Sequence, residues 1–343
     1  MIRNDIRAIS AYHVPDSDGL IKLDAMENPY PLPENLRSEW ARLLGASDIN
    51  RYPDADMLDL RQRIAEREGV NADQVLIGNG SDEIIQMLIM AADQGACAVP
   101  KPTFVMYENI ARWLKRPVAS LPLKPDFSLD AMAFLNMCAR EKASLAFLAC
   151  PNNPTGNMWP REDIQKITEN FRGLLVIDEA YGPFAEQTYS DMIGRNVMLL
   201  RTFSKLGMAG LRLGYALGDA EIIADLNKVR LPYNINSLTQ ISVCFFLDHY
   251  EVFEEQAKKI CGERERMRAA LTGLTKVEVF PSQANFLLLR VAKADAVFAG
   301  LKDAGILIKN LHAKGSLLEN CLRVTIGLPE ENDRFINALK ELI

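Results

Sequence analysis

The chain predicts an α/β fold with a mostly parallel central sheet in a large domain and a smaller α+β domain. Three observations carry that prediction. From about residue 75, short apolar runs alternate with longer amphipathic stretches. The apolar runs are near-continuous, as in strands covered on both faces of a parallel sheet. Beyond residue 240 the pattern changes to a long helical stretch followed by strands interspersed with helices. At 343 residues the chain exceeds one ordinary domain. The division expected is 1–45, an amino-terminal arm and part of the smaller domain; 46–240, the large domain; and 241–343, the carboxy-terminal small domain.

The elements follow in order. Asn28-Pro29-Tyr30-Pro31-Leu32-Pro33 cannot be regular helix or central strand, because proline fixes φ and carries no N–H. It reads as an ordered arm or connection. Val75-Leu76-Ile77 is a first strand, followed by Gly78-Asn79-Gly80-Ser81-Asp82-Glu83 and a helical pattern at Ile84, Ile85, Leu88 and Ile89. Ser81 is placed as the N-cap, with Asp82 and Glu83 in the favourable first turn. Residues 96–99, 145–149, 174–177 and 197–200 are the next four strands. Residues 241–270 are helical, and 285–289, 306–308 and 321–326 are strands of the smaller domain. In sheets of the parallel kind, ligands bind beyond the carboxyl ends of the strands, and the motifs described next fall at those ends.

Composition narrows the function. A hydrophobic content of 48% fills a substantial core, and a net charge of -6 with no basic stripe argues against a nucleic-acid partner. The first residues lack the apolar run of a signal peptide, and no apolar stretch is long enough to span a bilayer, so no membrane role and a cytoplasmic location are expected. Six dispersed cysteines suit reduced thiols, and three histidines without ligand spacing make a protein-built metal site unexpected.

Chemistry concentrates at four places. Thr202-Phe203-Ser204-Lys205-Leu206-Gly207-Met208-Ala209-Gly210-Leu211-Arg212 follows the fifth strand. A lysine at a buried strand end is placed to form a Schiff base with a phosphorylated aldehyde cofactor, with Thr202, Ser204 and Arg212 available for the phosphate. Asp178 follows the fourth strand and could keep a pyridine nitrogen protonated, with the Tyr181 phenol on the ring's phenolic oxygen. Read alone, Asp178 equally caps the next turn. Pro151-Asn152-Asn153-Pro154-Thr155-Gly156 is a rigid turn that could aim the Asn153 amide at a cofactor ring, or simply a loop. Gly78-Asn79-Gly80-Ser81 is half of a dinucleotide fingerprint without its third glycine. As a phosphate cradle using the Ser81 and Asp82 N–H groups it is sound.

Together, Asn153-Pro154-x-Gly156, Asp178-x-x-Tyr181 and Ser204-Lys205 resemble the aspartate-aminotransferase-type (fold type I) pyridoxal-phosphate enzymes, over nearly the whole chain. Within that class the resemblance is nearest to the histidinol-phosphate aminotransferases, through Asp24-Ala25-Met26-Glu27-Asn28-Pro29-Tyr30, Arg51-Tyr52-Pro53-Asp54, Gly78 to Glu83, Pro102-Thr103-Phe104-x-Met106-Tyr107 and Glu319-Asn320-Cys321-Leu322-Arg323-Val324-Thr325-Ile326-Gly327. The resemblance implies pyridoxal 5'-phosphate as cofactor and a homodimer. It implies that Lys205 binds the cofactor and moves the proton, Asp178 pairs with the pyridine nitrogen, Asn153 and Tyr181 contact the phenolic oxygen, and Tyr107 stacks on the ring. Ser81, Asp82, Thr202, Ser204 and Arg212 would hold the phosphate, with Tyr52 reaching in from a second subunit. Arg323 would bind substrate carboxylate and phosphate, since its planar fork matches both anions.

Two departures stand out. The loop from Lys205 to Gly210-Leu211-Arg212 is one residue shorter than is common in the family, and Lys309 stands where many relatives place a second phosphate-binding arginine. Tyr12 and His13 either line the pocket or pack the arm. The reaction implied transfers an amino group between L-histidinol phosphate and 2-oxoglutarate, giving imidazole acetol phosphate and L-glutamate. An aminotransferase for aromatic amino acids, a decarboxylase of a phosphorylated amino acid, and a non-catalytic binding or regulatory module are the alternatives. An intact Lys205 and Asp178 speak against the last.

Overall fold

The computed structural model describes residues 1–11 and 14–343. Thirteen strands are labelled in chain order: β1 (Ile21–Lys22), β2 (Val75–Gly78), β3 (Ala96–Lys101), β4 (Val118–Pro122), β5 (Ala143–Ala149), β6 (Leu174–Asp178), β7 (Val197–Thr202), β8 (Gly214–Leu217), β9 (Val277–Val279), β10 (Phe286–Val291), β11 (Ile306–Leu307), β12 (Lys309–Asn310) and β13 (Cys321–Thr325).

Seven strands form the large sheet in the order β2-β8-β7-β6-β5-β3-β4. The neighbours from β7 to β4 pair in parallel, whereas β8 is antiparallel to both β7 and β2. All five expected strands of this sheet are present. The edge strand β4 and the reversed strand β8 were not expected from the sequence. The sheet is buried on both faces. Leu76, Val99, Phe147, Val176 and Leu200 lie on one side, under helices Ser81–Ala91 and Val105–Trp113. Ile77, Leu148, Ile177 and Leu199 face the other side. Strand alternation therefore sends successive residues at a strand end to opposite faces.

In the carboxy-terminal third, β9, β10, β13 and β12 form an antiparallel sheet in the order β12-β13-β10-β9. The expected strand 306–308 is split. Ile306-Leu307 pairs in parallel with β1 from the amino-terminal region, and Lys309-Asn310 pairs with β13. The expected helical stretch is two helices, Ser237–Asp248 and Tyr250–Thr272, broken at His249. After β1 the chain bridges β11 and β13. The Leu23 N–H donates to Leu307 O, and the Leu23 carbonyl accepts from Thr325 N–H. The proline-rich stretch has no regular structure. Asn28 anchors it through Nδ2, which donates to Leu206 O at 2.9 Å and to Gln256 Oε1 at 2.8 Å.

Candidate active site

At the carboxyl edge of the large sheet, β2 and β7 end and the antiparallel β8 begins in register with them. Thr202 of β7 pairs with Gly214 of β8, and Gly214 pairs with Gly78 of β2. A Cβ on Gly214 would lie 2.6 Å from the Ser81 nitrogen, so only glycine lets the start of helix Ser81–Ala91 close onto the sheet. Gly80, at φ +80°, is the residue before that helix, and a Cβ there would meet Arg212 Nη2 at 2.8 Å. Gly80 is the N-cap and Ser81 the first helical residue, one position earlier than the sequence placed them. The N–H groups of the first turn, which have no partner within a helix, open here beside the Arg212 guanidinium. Arg212 Nη2 is also 3.8 Å from Asp82 Oδ2. Burial pushes the Asp82 carboxyl up, opposed by the charges of Arg212 and Lys205.

Asp178 closes β6 and is buried, at 4% exposure. Its Oδ2 accepts from the Tyr107 hydroxyl at 2.5 Å and its Oδ1 from the Ala180 N–H at 2.9 Å. Burial raises its pKa to about 6, against the lowering effect of those two hydrogen bonds. Tyr107 stacks on Phe147, with centroids 4.6 Å apart and planes at 6°. Phe104 meets the same ring edge-on at 5.4 Å, and the hydroxyl is committed to Asp178.

Lys205 lies in the single turn Ser204–Leu206 directly after β7. Its Nζ is 3.5 Å from Ala25 O and 5.8 Å from the Tyr181 ring centroid. Burial lowers its pKa to about 8, with the charges of Arg323 and Arg212 acting the same way and Glu27 and Asp82 opposing. Beside it, the Ser204 N–H donates to Thr202 Oγ1 at 3.1 Å, and the Thr202 and Ser204 hydroxyls are 3.0 Å apart.

A polar chain crosses the site. Asn153 Nδ2 donates to the Tyr181 hydroxyl at 3.0 Å, while Asn153 Oδ1 accepts from Arg323 Nη1 at 2.6 Å. Arg323 Nη2 donates to Asp24 O at 3.0 Å, and its guanidinium lies 5.3 Å from the Phe286 ring centroid. A cavity of about 110 Å³ is lined by Ser81, Asp82, Tyr107, Asn153, Asp178 and Tyr181, and also by Thr202, Ser204, Lys205 and Arg212.

The remaining candidates stand apart from it. Arg323 reaches the cavity through Asn153. Lys309 is directly across from Arg323 in the β12–β13 register. Tyr52 is 80% exposed and stacks on Tyr233 outside the cavity. Tyr12 and His13 lie outside the described residues.

Sequence reasoning missed several participants. Met26 and Phe104 line the cavity, and the Asp24 and Ala25 carbonyls accept from Arg323 and Lys205. Nothing in a side chain announces a backbone acceptor. It also missed the buried charges behind the site. Arg201 pairs with Glu179 at 2.6 Å and with Glu68, and Tyr215 donates to Glu68 at 2.6 Å. These line a roomier cavity of about 460 Å³ on the other face of the sheet. Its charges neutralise one another, whereas the smaller cavity gathers an amine, a carboxylate and a phosphate-sized cradle, which makes the smaller one the candidate reactive site.

Fold and site together define the class, and the chain belongs to the aminotransferase class I and II family, whose pattern it matches over residues 18–339. Among individual proteins, it is 45% identical to a histidinol-phosphate aminotransferase of Methylibium petroleiphilum, over 100% of this chain and 94% of that protein. It is 46% identical to histidinol-phosphate aminotransferase 2 of Cupriavidus pinatubonensis, over 98% of this chain and 95% of that one. The crystal structure of histidinol-phosphate aminotransferase from Sinorhizobium meliloti in complex with pyridoxal-5'-phosphate superposes with a TM-score of 0.89. It covers 99% of this chain and 97% of that chain at 23% identity, a likeness of fold. Among the described residues no helix is long and apolar enough to cross a membrane.

Proposed function

We propose that the chain is a pyridoxal-phosphate-dependent aminotransferase that moves the amino group between L-histidinol phosphate and 2-oxoglutarate, yielding imidazole acetol phosphate and L-glutamate, in L-histidine biosynthesis. The observation that carries this reading is the meeting of Lys205, Asp178 and the Gly80–Arg212 cradle in one cavity, in a chain related over its whole length to histidinol-phosphate aminotransferases.

The donor set fits the cofactor. Lys205 supplies a buried amine for its aldehyde, Asp178 a buried carboxylate for its pyridinium nitrogen, and Asn153 and Tyr181 two polar groups for its phenolic oxygen. The Ser81 and Asp82 N–H groups, the Thr202 and Ser204 hydroxyls and Arg212 would hold its phosphate. When bound, the cofactor supplies an aldehyde that condenses with amines and a ring that takes up the electron pair left by a departing α-proton.

The chain's own groups do the rest. Lys205, with a pKa near 8, exists partly as the free amine near neutral pH, so Nζ can take a proton from the substrate carbon and return it. Asp178, ionised above about pH 6, would hold a proton on the cofactor's pyridine nitrogen. Asn153 links Tyr181 to Arg323, so the groups on the ring and on the substrate anion share one hydrogen-bonded frame. Arg323 offers a planar fork to carboxylate or phosphate, and Lys309, opposite it on β12, adds a second positive charge that favours a phosphorylated substrate.

Tyr52 we assign to the site of a second copy of this chain. It is exposed on its own chain, and Ile49, Leu58 and Leu231 from nearby segments are exposed as well, as suits a surface covered in a homodimer. We further assign residues 46–240 to the cofactor-binding domain, and 241–343 with part of 1–45 to the small domain. A cytoplasmic location accords with the six free thiols.

The test is formation of L-glutamate. Purified protein given L-histidinol phosphate and 2-oxoglutarate should produce L-glutamate, faster with added pyridoxal 5'-phosphate. No glutamate from cofactor-saturated protein contradicts the reading.

A further inference from the structure

A polar clip outside the cavity ties two parts of the site together. Glu83, in the first turn of helix Ser81–Ala91, folds back so that Oε2 accepts the Asn79 N–H at 2.5 Å. That contact closes the turn from Gly78 to Gly80 and so sets the direction of the Ser81 and Asp82 N–H groups. The same Oε2 accepts from Asn234 Nδ2 at 2.7 Å. The other end of that amide, Asn234 Oδ1, accepts from Arg230 Nη1 at 2.9 Å. Arg230 directs its remaining donors to Asn227 Oδ1 and to Ala55 O, each at 3.0 Å.

Ala55 lies three residues beyond Tyr52, and Gln240 Nε2 holds the neighbouring Asp54 carbonyl at 2.9 Å. The Tyr52 ring stacks on Tyr233, with centroids 4.5 Å apart and planes at 18°. Tyr233 sits at φ +58°, immediately before Asn234. Two adjacent residues thus grip two different objects: Asn234 holds the phosphate cradle, and Tyr233 holds the exposed tyrosine. One side-chain amide spans Glu83 and Arg230, so it cannot turn to suit one end without breaking its bond at the other.

We propose that Arg230 and Asn234 are positioning residues that couple the phosphate cradle of one subunit to the Tyr52 which that subunit presents to a second copy of this chain, so that the two sites of the dimer fill with cofactor cooperatively. This rests on the dimeric reading of Tyr52 given above. A phosphate held by the Ser81 helix start orders the turn and, through Glu83 and Asn234, the Arg230–Ala55 contact. Tyr52 is then already fixed when the partner's site binds, and less ordering remains to be done there. The effect is reciprocal, because either site can fill first.

The experiment titrates full-length, cofactor-free protein with pyridoxal 5'-phosphate by calorimetry, with sedimentation run in parallel to give the mass. The second equivalent should bind about fivefold or more tightly than the first. Asn234→Ala should remain a dimer and bind both equivalents with one constant, close to that of the first equivalent in the unsubstituted protein. Arg230→Lys, which keeps the charge but loses the three-way contact, should do the same and serves if the first variant does not fold. Two equal, independent sites in the unsubstituted dimer would overturn the coupling, as would cooperativity that survives in folded, dimeric variants. A chain that sediments as a monomer overturns the dimeric reading itself, a result the mass reports separately from the binding curve.

Discussion

Tyr107 and Asp178, 71 residues apart in sequence, meet in a 2.5 Å hydrogen bond from phenol to carboxylate. Burial and the neighbouring Asp178 charge hold the Tyr107 phenol well above its usual pKa, so it stays a donor. The bond favours the ionised carboxylate that a pyridinium nitrogen requires. Tyr107→Phe removes it and should move the acid limit of cofactor binding to higher pH. Cofactor affinity measured from about pH 5 to about pH 8 reads this directly; an unmoved acid limit contradicts it.

Asp178 carries a stability signature of its own. Its folded pKa, about 6, lies above the ordinary 3.8, so the folded protein holds that proton more readily than the unfolded chain. The contribution is favourable at low pH and is lost as pH rises through about 6. Cofactor-free Asp178→Asn, which has no charge to bury, should therefore be more stable than the unsubstituted protein above pH 6, by up to about 3 kcal/mol. The difference should vanish near pH 4. Urea unfolding at the two pH values measures it, and the same variant should lose about 100-fold or more in turnover.

Lys205 has the opposite displacement, down to about 8. The rate at which cofactor-free enzyme gains the absorbance of bound cofactor should rise with pH through about 8 and then level, following the free amine. Lys205→Ala should lower turnover by about 100-fold to 10,000-fold. Lys205→Arg should not restore it, because a guanidinium stays protonated.

Arg323 and Lys309 face each other across β12 and β13 but differ in what they can grip. Arg323→Lys gives up the fork and should raise KM about tenfold or more for both glutamate and the phosphorylated substrate. Lys309→Ala should raise KM for L-histidinol phosphate while leaving that for glutamate nearly unchanged. Steady-state kinetics with each substrate varied separately distinguishes the two patterns.

Gly80→Ala puts a Cβ within 2.8 Å of Arg212 Nη2 at a φ of +80°. It should cost about 1 kcal/mol or more in stability and weaken cofactor binding by displacing the guanidinium from the cradle. Calorimetry of the cofactor-free variant reports both.

Much of this arrangement is legible in the sequence because parallel strands advertise themselves. Near-continuous apolar runs mark β2, β3, β5, β6 and β7, and Asp178 and Lys205 stand at or just beyond the ends of β6 and β7. Strand β4 escapes notice because its Val118–Pro122 run is half-exposed and broken by Ser120 and Pro122. Strand β8 is only four residues long and opens with Gly214, and its reversal is set by pairing, which a single strand does not encode. The Arg201–Glu179–Glu68 cluster joins three residues far apart in the sequence, brought together in part because strand alternation sends Asp178 to one face and Glu179 to the other. The Asn234–Glu83 contact joins residues 151 positions apart, and neither side chain is unusual in its local sequence. The Ser81 N-cap was misplaced by one residue because Gly80, at positive φ, could turn the chain first.

The most direct test of the central claim is a single-turnover reaction of cofactor-loaded enzyme with L-histidinol phosphate, L-histidinol and L-phenylalanine in turn, followed by visible absorbance and by analysis of the released cofactor. The account predicts rapid conversion of the cofactor to its amine form with L-histidinol phosphate and slow conversion with the two compounds that lack the phosphate, because Arg323 and Lys309 hold that group. Conversion by L-phenylalanine at an equal or greater rate would contradict it and make the enzyme a broad aromatic aminotransferase.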